Sequence, residues 1–282
     1  MYSDILLTVD FDRTLTDKNS EIPERNIEAI RYFMAHGGAF TLNTGRSVNT
    51  MGPLLHAIPT NAPFLLYNGS AAYDPKTRQL VQVKTIDLDI WQTMDEVHRA
   101  FPEMNLEIQG ERVHYLYSVS QEYKDMYDNL GWHRTDAVPG MDVGPFMKFA
   151  LFGPAHDNTV ANFFSGTEEE LARMDEAENW LRQRYGHVAE VYRAAPRILD
   201  VHAAGVSKGR CARELLANLG RKILVCVGDA ENDLTMMNAA DYAYCPSDGV
   251  ISARYENVCP CGEGAVADVI YRKIPQILKN KP

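Results

Sequence analysis

The sequence predicts an α/β protein: a doubly wound parallel sheet interrupted by an inserted α+β domain. Three observations carry that expectation. Short apolar runs at Ile5–Val9, Ala39–Leu42 and Ile223–Val227 each end in a polar turn and alternate with stretches of helical periodicity. From about Lys84 the rhythm changes to strands flanked by helices, and from about residue 203 the first rhythm returns. The expected organisation is a core built from residues 1–83 and 203–282, with the insertion over residues 84–202.

The 282 residues are 45% hydrophobic and 23% charged, ordinary values for a globular chain able to bury a sizeable core. A net charge of −10 without a basic cluster argues against nucleic acid and anionic membranes as partners. No apolar run approaches the length of a membrane span. The short run between Asp4 and Asp10 does not resemble a signal peptide, so a cytoplasmic location is the expectation. Cys211, Cys226, Cys245, Cys259 and Cys261 are odd in number and form no C-x-x-C pair; they read as reduced, mostly buried thiols. The oligomeric state is not legible.

The first strand runs into Asp10-Phe11-Asp12-Arg13-Thr14-Leu15-Thr16-Asp17. Two carboxylates two residues apart at a strand's carboxyl end suit phosphoryl chemistry. One can attack phosphorus, the other can move a proton, and oxygens of both residues can hold a hard cation such as Mg²⁺. The same octet suits a strand that ends in a capped polar turn. Pro23 and Glu24 mark a helix start, Ile27, Ile30, Phe33 and Met34 share a helical face, and Gly37-Gly38 ends it. The second strand leads into Asn43-Thr44-Gly45-Arg46-Ser47, where a hydroxyl and free backbone N–H groups can cradle an anion, or simply cap a helix. A third buried run, 64–67, precedes Asn68-Gly69 and a hairpin over 71–83; it is expected to extend the parallel sheet.

In the insertion, helices are expected over 88–100, 121–130 and 168–184, and strands at 106–108, 113–117, 147–152, 188–192 and 198–201. The long loop 153–166, with Phe163-Phe164 inside it, reads as a surface excursion with its aromatics tucked down. His98, His114, His133, His156 and His187 show no metal-ligand spacing, and most of them read as ordinary surface or partly buried residues. Beyond it, Lys208 opens a helix, where the dipole disfavours a cation unless an anion is nearby. The apolar strand at 223–227 ends in Gly228-Asp229-Ala230-Glu231-Asn232-Asp233, whose Asp229 and Asp233 can converge on one cation. A short strand at 241–244 and a closing helix over 264–278 complete the chain.

D-x-D-x-T after the first strand, Thr-Gly after the second, a lysine opening a late helix and G-D-x-x-x-D after a late strand resemble, in this order, the haloacid dehalogenase-like hydrolase superfamily. The resemblance spans the whole chain and implies a Rossmann-like core with an inserted cap. Asn43-Thr44-Gly45-Arg46, Asn68-Gly69, Gly205-Val206-Ser207-Lys208-Gly209 and the 228–233 stretch are most similar to its Cof-type branch of sugar-phosphate phosphatases. The resemblance implies Asp10 as the nucleophile, forming an aspartyl-phosphate, and Asp12 as general acid and then base. It implies phosphoryl oxygens held by Thr44, the Gly45 N–H, Lys208 and Asn232. Mg²⁺ would be bound by Asp10, the Asp12 carbonyl, Asp229 and Asp233. Two departures stand out: Arg13 replaces the usual glycine, and Tyr244-Cys245-Pro246-Ser247-Asp248 replaces a common Met-Gly-Asn-Ala stretch.

The expected activity is therefore Mg²⁺-dependent hydrolysis of a small phosphorylated metabolite, a sugar phosphate above all. A phosphomutase or phosphotransferase of the same fold and a non-catalytic sugar-phosphate sensor are the alternatives. The full set of chemical residues weighs against the sensor, and Asp12, placed to hasten phosphoenzyme hydrolysis, weighs against a motor ATPase. The motifs read only the phosphate, so the organic part of the substrate is not legible.

Overall fold

A computed structural model describes residues 1–279. Two compact units emerge. Unit 1 comprises Met1–Gly45, Pro53–Gln82 and the chain from Ser207 onward; unit 2 comprises Arg46–Gly52 and Val83–Val206.

Unit 1 is built on a five-stranded parallel sheet in the spatial order Glu256–Val258, Tyr242–Pro246, Ile223–Val227, Ile5–Val9, Ala39–Leu42. Ile5–Val9 and Ile223–Val227 are buried at every residue, as strands covered on both faces must be. Register sets Val9 opposite both Val227 and Leu42, so Asp10, Gly228 and Asn43 leave the sheet at one edge. Helix Glu24–Ala35 packs against Ala265–Asp268, and Lys208–Asn218 against Leu234–Ala239. Leu6, Leu215, Leu216, Leu224, Met236 and Met237 share one core.

The third buried run departs from expectation. Phe64–Leu66 does not extend the parallel sheet; it pairs antiparallel with Ala71–Asp74 in a separate sheet completed by Gln79–Val83. Among the described residues it meets the larger sheet's extension through a parallel bridge between Asn43 and Leu65. The backbone that follows sets the antiparallel partner: Tyr67, Asn68 and Gly69 take φ values of 51°, 53° and 100°, which fold the chain back at once so that Ala71–Asp74 runs beside it. The closing helical run, Ala265–Lys279, contains a wider π turn over Val269–Lys273.

Unit 2 holds a six-stranded sheet in the order Ala189–Ala195, Ile198–Ala203, Phe146–Phe152, Asn105–Gly110, His114–Tyr117, Arg134–Asp136, antiparallel except for the last pair. Helices Ile90–Ala100 and Glu168–Tyr185 supply Met94, Val97 and Leu181 to a core shared with Ile108, Phe149 and Val201 of the strands. Alternation sends polar side chains to the other face, where register aligns His202, Lys148, Gln109 and His114 across four strands. The long loop contains a short helical turn, Val160–Phe164, that buries Phe163 against Tyr123 and Phe152 while Phe164 stays 47% exposed. Among the five histidines of this stretch His114 is the exception to the general expectation of exposure: it is fully buried.

The architecture is a Rossmann-like parallel core with an inserted α+β cap. No helix among the described residues is long and apolar enough to cross a membrane.

Candidate active site

Asp10 continues the first strand in extended conformation, φ −68° and ψ 161°, and its N–H donates to the Val227 carbonyl at 2.9 Å. The chain then turns sharply. Arg13, where the resemblance expects glycine, sits in the left-handed region at φ 57° and ψ 13°, and its N–H donates to Thr16 Oγ1 at 3.1 Å. A side chain costs energy there, so Arg13→Gly is expected to stabilise the fold by roughly 0.5–1 kcal/mol after allowing for glycine's freer unfolded chain. Urea unfolding of the two proteins checks this.

Thr14 Oγ1 donates to Asp229 Oδ1 at 3.0 Å, tying the first acidic loop to the second. In that second loop a Cβ on Gly228 would fall 2.7 Å from the Asp233 side chain, so glycine lets the loop close. Asp233 Oδ2 accepts the N–H groups of Asp229 and Ala230 at 3.0 and 3.1 Å. Its Oδ1 accepts from Lys208 Nζ at 2.6 Å, and the same ammonium donates to Asp10 Oδ1 at 2.6 Å. Lys208 is 1% exposed, and the Asn43 amide anchors its carbonyl at 2.8 Å. Two carboxylates thus hold a lysine in a helix's first turn, where the dipole alone opposes it.

One carboxylate oxygen from each of Asp10, Asp229 and Asp233 lies within 4.8 Å of the other two, and all three residues are buried. Hard oxygen donors so grouped can coordinate a divalent cation. The electrostatics agree. Burial and then the Asp233 charge push Asp10 well above the usual carboxylate range, with Lys208 opposing. Burial and then Asp233 raise Asp229 to about 7, with the Thr14 hydrogen bond opposing. Burial works against the charge of Lys208, but Asp10 and Asp233 outweigh it and hold its pKa above the ordinary value. Three carboxylates share one ammonium, a deficit of positive charge that a divalent cation would fill.

A sign follows for stability. Folded Asp229 keeps its proton up to about 7, whereas the ordinary value is 3.8. Between those limits the folded state binds more protons than the unfolded state, so stability falls as pH rises. The cation-free protein is therefore expected to melt at a lower temperature near about pH 8 than near about pH 5, a cost on the order of a few kcal/mol. A divalent cation should restore most at the upper end, and Asp229→Asn should flatten the profile. Thermal melts with and without chelator at both pH values measure this.

The other candidate residues also lie in unit 1. The Asp12 side chain is half-buried and outside the group of three, yet its charge contributes to raising both Asp10 and Asp229. Thr44 is buried; its N–H donates to the Leu65 carbonyl at 2.9 Å and its carbonyl accepts the Asn68 N–H at 3.0 Å. A Cβ on Gly45 would lie 2.9 Å from Asn68 Oδ1, so the Asn68 side chain packs directly on that glycine. Asn232 stands half-buried on the turn Glu231–Asp233. Thr14, Asn43 and Asn68 carry contacts that spacing does not reveal, although each sits within a motif that the sequence singles out.

Comparison with known proteins follows the same line. The chain is 25% identical over 261 residues to a Haemophilus influenzae protein described as a "putative phosphatase", covering 89% of this chain and 87% of that one. Among solved structures, a haloacid dehalogenase-like hydrolase from Bacteroides thetaiotaomicron superposes with a TM-score of 0.78 at 20% identity, covering 97% of this chain and 100% of that one. The HAD subclass IIB sugar phosphatase BT4131 gives a TM-score of 0.72 at 19% identity, covering 97% and 98%. At such identities the structural matches establish the fold. A family model for haloacid dehalogenase-like hydrolases matches residues 7–251, and the chain belongs to that family.

Proposed function

We propose that the chain is a Mg²⁺-dependent phosphatase that hydrolyses a small phosphorylated metabolite, a sugar phosphate of the kind handled by the Cof-type branch, in the cytoplasm. The observation that carries this reading is Asp10, which follows the strand Ile5–Val9 and sits beside Lys208 within a buried group of three aspartates. The Haemophilus relative, described as a phosphatase, and the sugar phosphatase BT4131 support it. In this reading residues 1–83 and 203–282 carry the chemistry and residues 84–202 form the cap.

The Asp10 carboxylate attacks phosphorus; an Asp10 oxygen–phosphorus bond forms as the bond to the leaving oxygen breaks. Asp12 gives its proton to that leaving oxygen, then takes one from the water that hydrolyses the aspartyl-phosphate. Lys208, Thr44, the Gly45 N–H and Asn232 hold the phosphoryl oxygens. Asp10, Asp229, Asp233 and the Asp12 carbonyl would hold Mg²⁺, which when bound supplies the positive charge that carboxylates and phosphate together lack.

A screen of phosphorylated metabolites for release of inorganic phosphate, with Mg²⁺ and with chelator, tests the proposal. Phosphate released only with the cation is the expected result. No release from any substrate in the presence of Mg²⁺ would overturn it, and isomer formation from a hexose monophosphate without phosphate release would replace it with a mutase.

A further inference from the structure

The stretch 244–248, where the sequence departs from the pattern it resembles, ends the strand Tyr242–Pro246 and runs into a turn over 247–251. Within unit 1 that turn packs against Asp229. The Ile251 N–H donates to the Asp229 carbonyl at 3.1 Å. A Cβ on Gly249 would fall 3.1 Å from Asp229 Cβ and 2.7 Å from Cys245 Sγ, so the Gly249 backbone lies directly on the stem of the Asp229 side chain. The Asp229 N–H donates to Asp233 Oδ2, and Thr14 Oγ1 donates to Asp229 Oδ1. The carboxylate is thereby held from its backbone to its tip.

The two ends of the turn are fastened differently. Ile251 is buried in the core with Leu224, Met236 and Met237. Beside Gly249, Val250 is 71% exposed, so this end draws little from the core. Asp248 fastens it instead. Its Oδ1 accepts the Cys261 N–H at 2.9 Å, its Oδ2 accepts the Cys261 thiol at 3.4 Å, and Lys18 Nζ lies 3.5 Å from Oδ2. Burial and then the bond to Asp248 raise the Cys261 thiol to about 11, so it keeps the proton it donates. Burial works against the charge of Asp248, but the Cys261 N–H and thiol outweigh it and hold its pKa below the ordinary value. Hydrogen bonds to an ionised acceptor are the strong ones.

We propose that Asp248 is a positioning residue for the cation: by tying the turn to Cys261 it keeps Gly249 against Asp229, and so keeps the Asp229 carboxylate grouped with Asp10 and Asp233. The inference rests on the reading of those three aspartates as ligands of a divalent cation. Their oxygens lie within 4.8 Å of one another, and Asp248 lies outside the group. Loss of a support behind a ligand weakens a metal site without removing any ligand.

Mn²⁺, which carboxylates hold as they hold Mg²⁺, is the probe. Its binding to the full chain without substrate, read from the electron paramagnetic resonance signal of the free ion, measures the site apart from turnover. Asp248→Ala is expected to raise the dissociation constant about tenfold. Asp248→Asn keeps an acceptor for the Cys261 N–H and should stay near the wild-type constant. A merely structural role would lower the melting temperature of Asp248→Ala in chelator and leave the constant alone, so a wild-type constant in the folded variant overturns the proposal. Binding by Asp248→Asn as weak as by Asp248→Ala also overturns it, because the carboxylate would then act through its charge alone. If Asp248→Ala does not fold, Gly249→Ala carries the test. Its methyl forces the turn off Asp229 and should weaken Mn²⁺ binding at least as much; a wild-type constant there overturns the proposal. A wild-type protein that binds no Mn²⁺ defeats the cation reading instead, a result read without these variants.

Discussion

Asp10→Asn is expected to abolish turnover, by at least about 10⁴-fold, and to leave no trapped phosphoenzyme. The amide has the size of the carboxylate and keeps an oxygen for Lys208, but it is not a nucleophile. What makes the experiment clean is the charge of the site. Burial and the Asp233 charge push the Asp10 carboxyl well above its ordinary range, so at neutral pH its ionised form costs the fold stability. Removing that charge relieves repulsion, and Lys208 still keeps Asp233 at 2.6 Å. The variant should therefore melt no lower than wild type without a cation, while gaining less when the cation is added. Phosphate release, acid-quench mass spectrometry and melting curves read the three effects separately. Retained turnover would move the nucleophile elsewhere; a lowered melting temperature would mean that the loss of activity is a loss of fold.

The strands and motifs at the centre of this site are legible because burial on both faces demands unbroken apolar runs. Ile5–Val9 and Ile223–Val227 consist of little else, and the acids that follow them stand out by contrast. Phe64–Leu66 has the same composition yet belongs to another sheet, and composition does not show that Tyr67, Asn68 and Gly69 take positive φ and bring Ala71–Asp74 back antiparallel beside it. Arg134–Asp136 and Glu256–Val258 have three residues each, too few for alternation to show, and the sequence reading passes over both. Within the site, the carboxylates are local features of their loops. The hydrogen bond from Thr14 to Asp229 joins residues 215 apart; such a pairing is decided by packing.

Asp12 should fail in a different way from Asp10. Asp12→Ala leaves the nucleophile, Lys208 and the three-carboxylate group in place, because the Asp12 side chain lies outside that group. Affinity for Mg²⁺ and for substrate should stay within a modest factor. What is lost is the group that protonates the leaving oxygen and later deprotonates water, a role worth about 10²–10⁴-fold in rate. A substrate with a good leaving group needs little protonation, so its first step should suffer least. Water attack on the aspartyl-phosphate then becomes slow, and the phosphoenzyme should accumulate at Asp10, where acid-quench mass spectrometry detects it. Near wild-type hydrolysis of natural substrates by Asp12→Ala would show that another residue, or water itself, carries the proton.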